Sequence, residues 1–220
     1  MPWDQRQRCV DRRVRRLVGR RFWLTLLVMI SYVLGASGSG KSLIVPRLSR
    51  LLPDRVVLDW DAFMAPASEL AGAPIPQTPQ TWEPYGRLVR SVADVILPAD
   101  MVLLGVCTPD EMADWPRGPW ILLDCSDDAR RLRLAARNEP DDVEEVLDDA
   151  ASYRALALPV VDTTELSPDE VARAVADKVI ETAATFNAIG PVETDGSGHD
   201  GSQPNTGGDH QGRSGRVRPR

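Results

Sequence analysis

Residues 32–45, YVLGASGSGKSLIV, constrain this chain more than any other stretch. An apolar run enters a glycine-rich turn and an amphipathic segment leaves it. Gly35, Gly40, Lys41 and Ser42 satisfy the pattern G-x-x-x-x-G-K-[ST]. In that pattern the loop wraps so that successive backbone N–H groups point inward, and the helix that follows adds its positive end. Gly35, Ser37, Gly38, Ser39 and Gly40 form the expected cradle, Lys41 is placed to reach the β- and γ-phosphates, and the Ser42 hydroxyl to ligate Mg²⁺. The expected ligand is ATP or GTP with Mg²⁺. Such a loop needs a strand before it and a helix after it.

The rest of the chain has the periodicity to supply both. Five short apolar runs, at 29–34, 55–59, 100–106, 120–124 and 158–162, are continuous rather than alternating. Strands of that kind are covered on both faces, which predicts a parallel α/β sheet of five strands. Amphipathic segments lie between them. Residues 41–52 stop at Pro53 and residues 85–97 at Pro98; Ser167, Pro168 and Glu170 form a helix start ahead of VARAVADKVIETAATF.

The two ends of the 220-residue chain differ from its middle. Residues 1–28 hold eight Arg and run into an apolar segment, 22–34, too short to span a bilayer. This leader reads either as an export signal or as sequence upstream of a true start at Met29. Residues 187–220 are polar, rich in glycine and expected to be disordered. The domain expected between them, 29–186, carries fourteen basic and twenty-six acidic side chains. That balance excludes a nucleic-acid surface and leaves a small molecule as the expected partner. No membrane association is expected. Three cysteines without CxxC spacing fit a reducing cytoplasm, and both histidines, His199 and His210, lie in the tail, so no His-based triad or zinc site belongs to the domain.

Candidate site residues follow the strands. VVLDWDAF places Asp59 and Asp61 two apart at the end of the second run, and an extended backbone would point both carboxylates the same way. One would hold metal and the other take a proton from an attacking hydroxyl. The third run ends without an acid, so metal would rest on Ser42, Asp59 and, as a further option, Asp124. Arg130, Arg133 and Arg137 share one helical face and could clamp a transferring phosphoryl group, Arg137 first among them. Between the second run and the next helix, a long Pro-rich segment carries Trp82, Tyr85 and Arg87, which with Trp60 and Arg90 could receive an acceptor. The aromatic residues could equally pin this segment to the core.

Together GASGSGKS, LDWDAF, RRLRLAAR, ASYRAL and VVDTTELSPDEVARAV resemble the small P-loop kinases of the nucleoside and nucleotide kinase superfamily, in the style of shikimate, gluconate and adenylate kinases, over residues 29–183. The resemblance implies sheet order 2-3-1-4-5 in a three-layer α/β sandwich and an Arg-bearing lid over ATP. It implies Asp59 near Mg²⁺, Asp61 as acceptor base or anchor, Arg137 and Arg133 in the lid, Arg154 beside the phosphates, and Thr163 and Thr164 near the base. The implied activity is ATP- and Mg²⁺-dependent phosphorylation of a small molecule such as a nucleoside, nucleotide or sugar. A non-catalytic ATP-binding module is the alternative.

Overall fold

The computed structural model describes residues 29–137 and 142–189. The leader, the middle of the expected lid and the tail beyond Ile189 lie outside the described residues. Five strands form one parallel sheet: β1 (Ile30–Leu34), β2 (Val56–Asp59), β3 (Met101–Gly105), β4 (Trp120–Asp124) and β5 (Val160–Asp162). Their order is β2-β3-β1-β4-β5, as the resemblance implied. Ile30 pairs with Met101 at one end of the β1–β3 ladder and Leu34 with Gly105 at the other.

Burial on both faces explains the continuous apolar runs. Val33, Val102, Leu104, Ile121 and Leu123 face one layer, where α1 (Lys41–Leu51) and α6 (Pro168–Ile189) pack together. Ile30, Tyr32, Met101 and Leu103 face the other, under α3 (Trp82–Ile96). Each large side chain so buried contributes about 1.5–3 kcal/mol. A further cluster joins Leu34 and Leu122 to α4 (Asp127–Arg137) and α5 (Val143–Arg154) through Leu134, Val146 and Tyr153.

Local signals set the helix ends. Ser167 and Glu170 form a reciprocal capping box: Ser167 N and Oγ donate to Glu170 Oε2 at 2.9 and 2.6 Å, and Glu170 N donates back to Ser167 Oγ at 3.4 Å. Helix α6 continues to Ile189, past the expected domain limit at 186. The Pro-rich segment is more ordered than its composition suggests. It forms α2 (Met64–Ala71), ended by a left-handed Gly72, then two single 3₁₀ turns, and α3 starts at Trp82 instead of Tyr85. Proline is tolerated there because Pro66 falls in a first helical turn and Pro76 and Pro79 in the opening positions of the 3₁₀ turns, where no helical N–H is lost.

Candidate functional site

The loop of residues 35–40 joins β1 to α1 at the carboxyl edge of the central strand. Helix α1 opens on Gly40, left-handed at φ 96°, with no side-chain cap and no acidic residue in its first turn. Its first N–H groups and positive dipole end are thus left for an external anion. Lys41 is buried, and its Nζ folds back to donate to the carbonyls of Gly35 and Ala36, the latter at 3.3 Å. Ser42 is exposed at the same helix start.

Gly35 is fixed by space. A Cβ there would lie 2.7 Å from Ser39 Oγ and 2.8 Å from the Leu123 carbonyl oxygen. The backbone contact cannot give way, so Gly35→Ala is expected to deform the loop and lower the melting temperature, read by calorimetry.

The arginine face divides by depth. Arg130 is fully buried behind the loop, donating from Nη1 to the Ser37 carbonyl at 2.5 Å and from Nη2 to Asp124 Oδ1 at 2.5 Å. Its Cγ would lie 3.1 Å from a Cβ at Gly38, so it also backs the loop's left-handed turn at φ 79°. Arg133 is half-buried and ties two loops together. Its Nη1 donates to Gly38 O (3.2 Å) and Thr163 Oγ1 (2.9 Å), and its Nη2 to the carbonyls of Thr163 (2.5 Å) and Thr164 (3.4 Å). The Thr163 hydroxyl in turn donates to Ser39 O at 3.1 Å. Arg137 is exposed at the end of α4.

Next to the loop lies a cavity of about 330 Å³, bounded by Gly40, Arg133, Arg137, Thr163, Leu166 and Pro168. It is large enough for a heterocyclic base. Thr164 stands outside its lining. The Thr164 hydroxyl donates to Asp162 Oδ1 at 2.6 Å and accepts from Ser126 N at 2.9 Å, so it fixes the turn after β5.

On the other side of the loop, Asp59 closes β2 and is buried; its Oδ1 accepts from the Asp61 backbone N at 3.1 Å. Asp61 therefore lies in a 3₁₀ turn (Trp60–Phe63), not in extended chain, because Asp59 caps the turn with its own side chain. Tyr85 is buried, and its hydroxyl donates to the Trp60 carbonyl. Burial, with the neighbouring Asp61 and Asp59 carboxylates, pushes the Tyr85 hydroxyl above its usual range. Asp59, Asp61 and Tyr85 thus converge at the end of β2.

A gluconokinase from Sinorhizobium meliloti 1021 superposes with a TM-score of 0.54 at 16% identity, covering 75% of this chain and 99% of that one. Its whole length is thus matched. The fold is that of the small P-loop kinases. A tunicamycin resistance protein from Deinococcus radiodurans superposes at 0.51 with 20% identity, over 69% of this chain and 95% of that chain. A shikimate kinase from Acinetobacter baumannii reaches 0.48 with 20% identity, over 70% and 94% of the two chains. No family model matches the chain, and no curated protein does either.

Within this fold several expected residues stand elsewhere. Asp124, a metal option in the sequence, is held on both oxygens: Arg130 and Arg154 Nη2 reach Oδ1, and Arg154 Nε reaches Oδ2 at 2.6 Å. Arg154 also donates to Asp127 at 2.8 Å and to the Cys125 carbonyl at 2.9 Å. These carboxylates raise its pKa above the ordinary arginine range, and its partners lie at the ends of β4 and α4. Arg87 points to solvent, paired with Glu83 at 2.6 Å, because its position on α3 faces away from the sheet. Tyr85 is a packing residue rather than a stacking surface; Trp82 meets it edge-on at 6.3 Å and is half-buried. Among the described residues Cys107 and Cys125 form no disulfide, and burial pushes the Cys125 thiol up. Arg130, on the same helical face as Arg133 and Arg137, supports the loop from behind through the Ser37 carbonyl, and its signal in the sequence is an Arg in the first turn of the helix after Asp124. No helix among the described residues is long and apolar enough to cross a membrane.

Proposed function

We propose that this chain is an ATP- and Mg²⁺-dependent kinase that phosphorylates a hydroxyl group of a small molecule. The observation that carries this reading is the uncapped start of α1 at Gly40 with buried Lys41 beside it, set between a base-sized cavity and the Asp59–Asp61 turn. Phosphates, base and acceptor hydroxyl each have a distinct place.

The residues fit the metal. Mg²⁺ takes one or two protein oxygens and completes its shell with phosphate and water. The exposed Ser42 hydroxyl and the Asp59 carboxylate are such a pair, and among the described residues no group of three or more His, Cys, Asp or Glu forms a self-sufficient metal cage. When bound, Mg²⁺ would neutralise charge on the β- and γ-phosphates.

The protein's own part is positioning. Gly35, Ser37, Gly38, Ser39 and Gly40 hold the phosphates with backbone N–H groups, and Lys41 leaves its carbonyl partners to bind phosphate oxygen. Arg133, with Thr163, sets the wall against which the base lies, and Arg137 stands at the cavity rim to meet charge on the transferring group. Asp61 accepts the proton as the acceptor oxygen bonds to the γ-phosphorus and the bond from that phosphorus to the bridging oxygen breaks. Thr164 and Arg154 act by holding the turns after β5 and β4.

The test is ATP binding by calorimetry together with ADP release over nucleosides, nucleoside monophosphates, sugars and antibiotics. Lys41→Ala is expected to remove turnover and weaken ATP binding about tenfold or more. ATP binding without turnover on any acceptor would make the protein a regulatory nucleotide-binding module; absence of ATP binding would overturn both readings.

A further inference from the structure

A second cavity, of about 220 Å³, opens where α1 packs on α6, and Arg47, Arg50, Leu51, Asp169, Ala172 and Arg173 line it. Arg50 stands nine positions after Lys41, roughly 14 Å along the helix axis, so this cavity is distinct from the phosphate loop. It shares no lining residue with the cavity beside that loop. One ridge of α1 joins the two: Leu43 borders the first and Arg47, one turn on, the second.

The arginines of this cavity run against the charge balance of the domain. Among the described residues, every arginine except Arg50, Arg117, Arg133, Arg137 and Arg173 has a carboxylate within 4.0 Å. Arg133 and Arg137 line the base-sized cavity, and Arg50 and Arg173 line this one. Where acidic side chains outnumber basic ones, guanidinium groups that escape pairing and gather at two cavities mark two places for an external anion. The dipole of α1 favours a cation at Arg50, in its last turn. It does not account for Arg173, which sits in the second turn of α6, toward the positive end of that helix.

Arg47 is held in place by the cavity wall. Its Nε donates to Asp169 Oδ1 at 2.6 Å and its Nη1 to the Leu43 carbonyl at 2.8 Å. Arg173 Nε donates to the Asp169 carbonyl at 3.2 Å. Among the described residues, neither Nη of Arg173 nor any nitrogen of the Arg50 guanidinium has a partner. Glu170, the acid next to Asp169, is taken up by the Ser167 cap, Asp177 lies outside the lining, and α1 carries no acid. Three guanidinium groups against the Asp169 carboxylate leave two positive charges in the lining. A phosphate group carries about −1.5 to −2 at neutral pH and offers three oxygens to such forks. Leu51 and Ala172 add apolar wall, against which these contacts are less screened than on open surface.

We infer that the α1–α6 cavity is a second anion site that binds a phosphate group, as inorganic phosphate or as the ester of a small molecule, through Arg47, Arg50 and Arg173. The site stands whether or not the chain transfers phosphate.

Line broadening in ³¹P NMR of inorganic phosphate and of glycerol phosphate by the full chain reads the binding, with acetate followed by ¹H NMR. Both phosphates are expected to bind with a Kd below about 5 mM, and acetate at least about tenfold more weakly. Arg50→Ala and Arg173→Ala should each weaken the phosphates about threefold to tenfold. Lys178→Ala removes a cation of α6 that is paired with Glu181 at 2.7 Å outside the cavity, and should leave phosphate affinity within about twofold. Arg50 and Arg173 are exposed, so their replacement should move the melting temperature by no more than about 2 °C. The loop also attracts phosphate, so the titrations are repeated in Lys41→Ala, where the dependence on Arg50 and Arg173 should persist. Tighter binding of the ester assigns the site to a phosphorylated compound, and equal or tighter binding of the ion assigns it to free phosphate. Phosphate binding that vanishes in Lys41→Ala, is unchanged in both arginine variants, falls equally in Lys178→Ala, or is matched by acetate overturns the site. So does the absence of phosphate binding below about 5 mM.

Discussion

Asp124→Ala is expected to destabilise the domain more than any other single carboxylate replacement. Asp124 is 13% exposed and receives Arg130, itself wholly buried, at 2.5 Å, and Arg154 at 2.6 Å. The Arg130 Nε already lacks a partner, so loss of the carboxylate leaves the Ser37 carbonyl as the acceptor named for that guanidinium. Breaking a buried pair from one side costs about 3–5 kcal/mol, since the remaining charge stays desolvated. In a domain of this size the melting temperature should fall by on the order of 10 °C. Asp127→Ala is the control, because Asp127 also touches Arg154 but is 51% exposed. It should shift the melting temperature by no more than about 2 °C. On the proposed kinase reading, ATP binding should weaken in Asp124→Ala as well, since Arg130 holds the loop through Ser37. Equal melting temperatures for the two variants would remove the structural role assigned to the Asp124–Arg130 pair.

That pair shows where the sequence stops being legible. Residues 35–42 could be read directly because loop, strand and helix are contiguous, and glycine there answers to local geometry. The capping box at Ser167 and Glu170 could be read for the same reason. Arg130 and Arg137 look equivalent in sequence, seven positions apart on one face. Along the helix axis they are separated by about 10 Å. The first therefore lies beneath the loop and the second reaches the rim of the cavity, a difference set by what α4 passes over and not by its own periodicity. Likewise the spacing of Asp59 and Asp61 was visible, whereas the turn between them was not, because Asp59 creates that turn by accepting from the Asp61 backbone. Tyr85 could be read as a stacking surface or as a pin to the core, and its hydroxyl, given to the Trp60 carbonyl, decides for the core. The Pro-rich segment hides α2 for a further reason: its prolines, Pro66, Pro74, Pro76 and Pro79, break up any helical period along the sequence, whereas Pro66 falls in the first turn of an Ala-rich helix and Ala67 and Ile75 are buried in the core under α3.

On the proposed kinase reading, Asp61→Asn is expected to lower phosphoryl transfer by about a hundredfold to ten-thousandfold while ATP affinity stays within about twofold. The contrast follows from placement. Asp61 shares the carboxyl end of β2 with Asp59 but uses its backbone N, not its side chain, to bind it, so the amide replacement preserves the turn. An amide cannot accept the acceptor's proton, and that is the step it is asked to serve. Asp59→Asn provides the comparison. Its side chain both caps the turn and is the proposed metal ligand, so this variant should raise the Mg²⁺ concentration needed for half-maximal turnover, an effect Asp61→Asn should lack. Loss of activity in both variants with the same shift in Mg²⁺ requirement would make them a shared metal site. Full transfer by Asp61→Asn would move the base to another residue, and ATP binding would be untouched by either result.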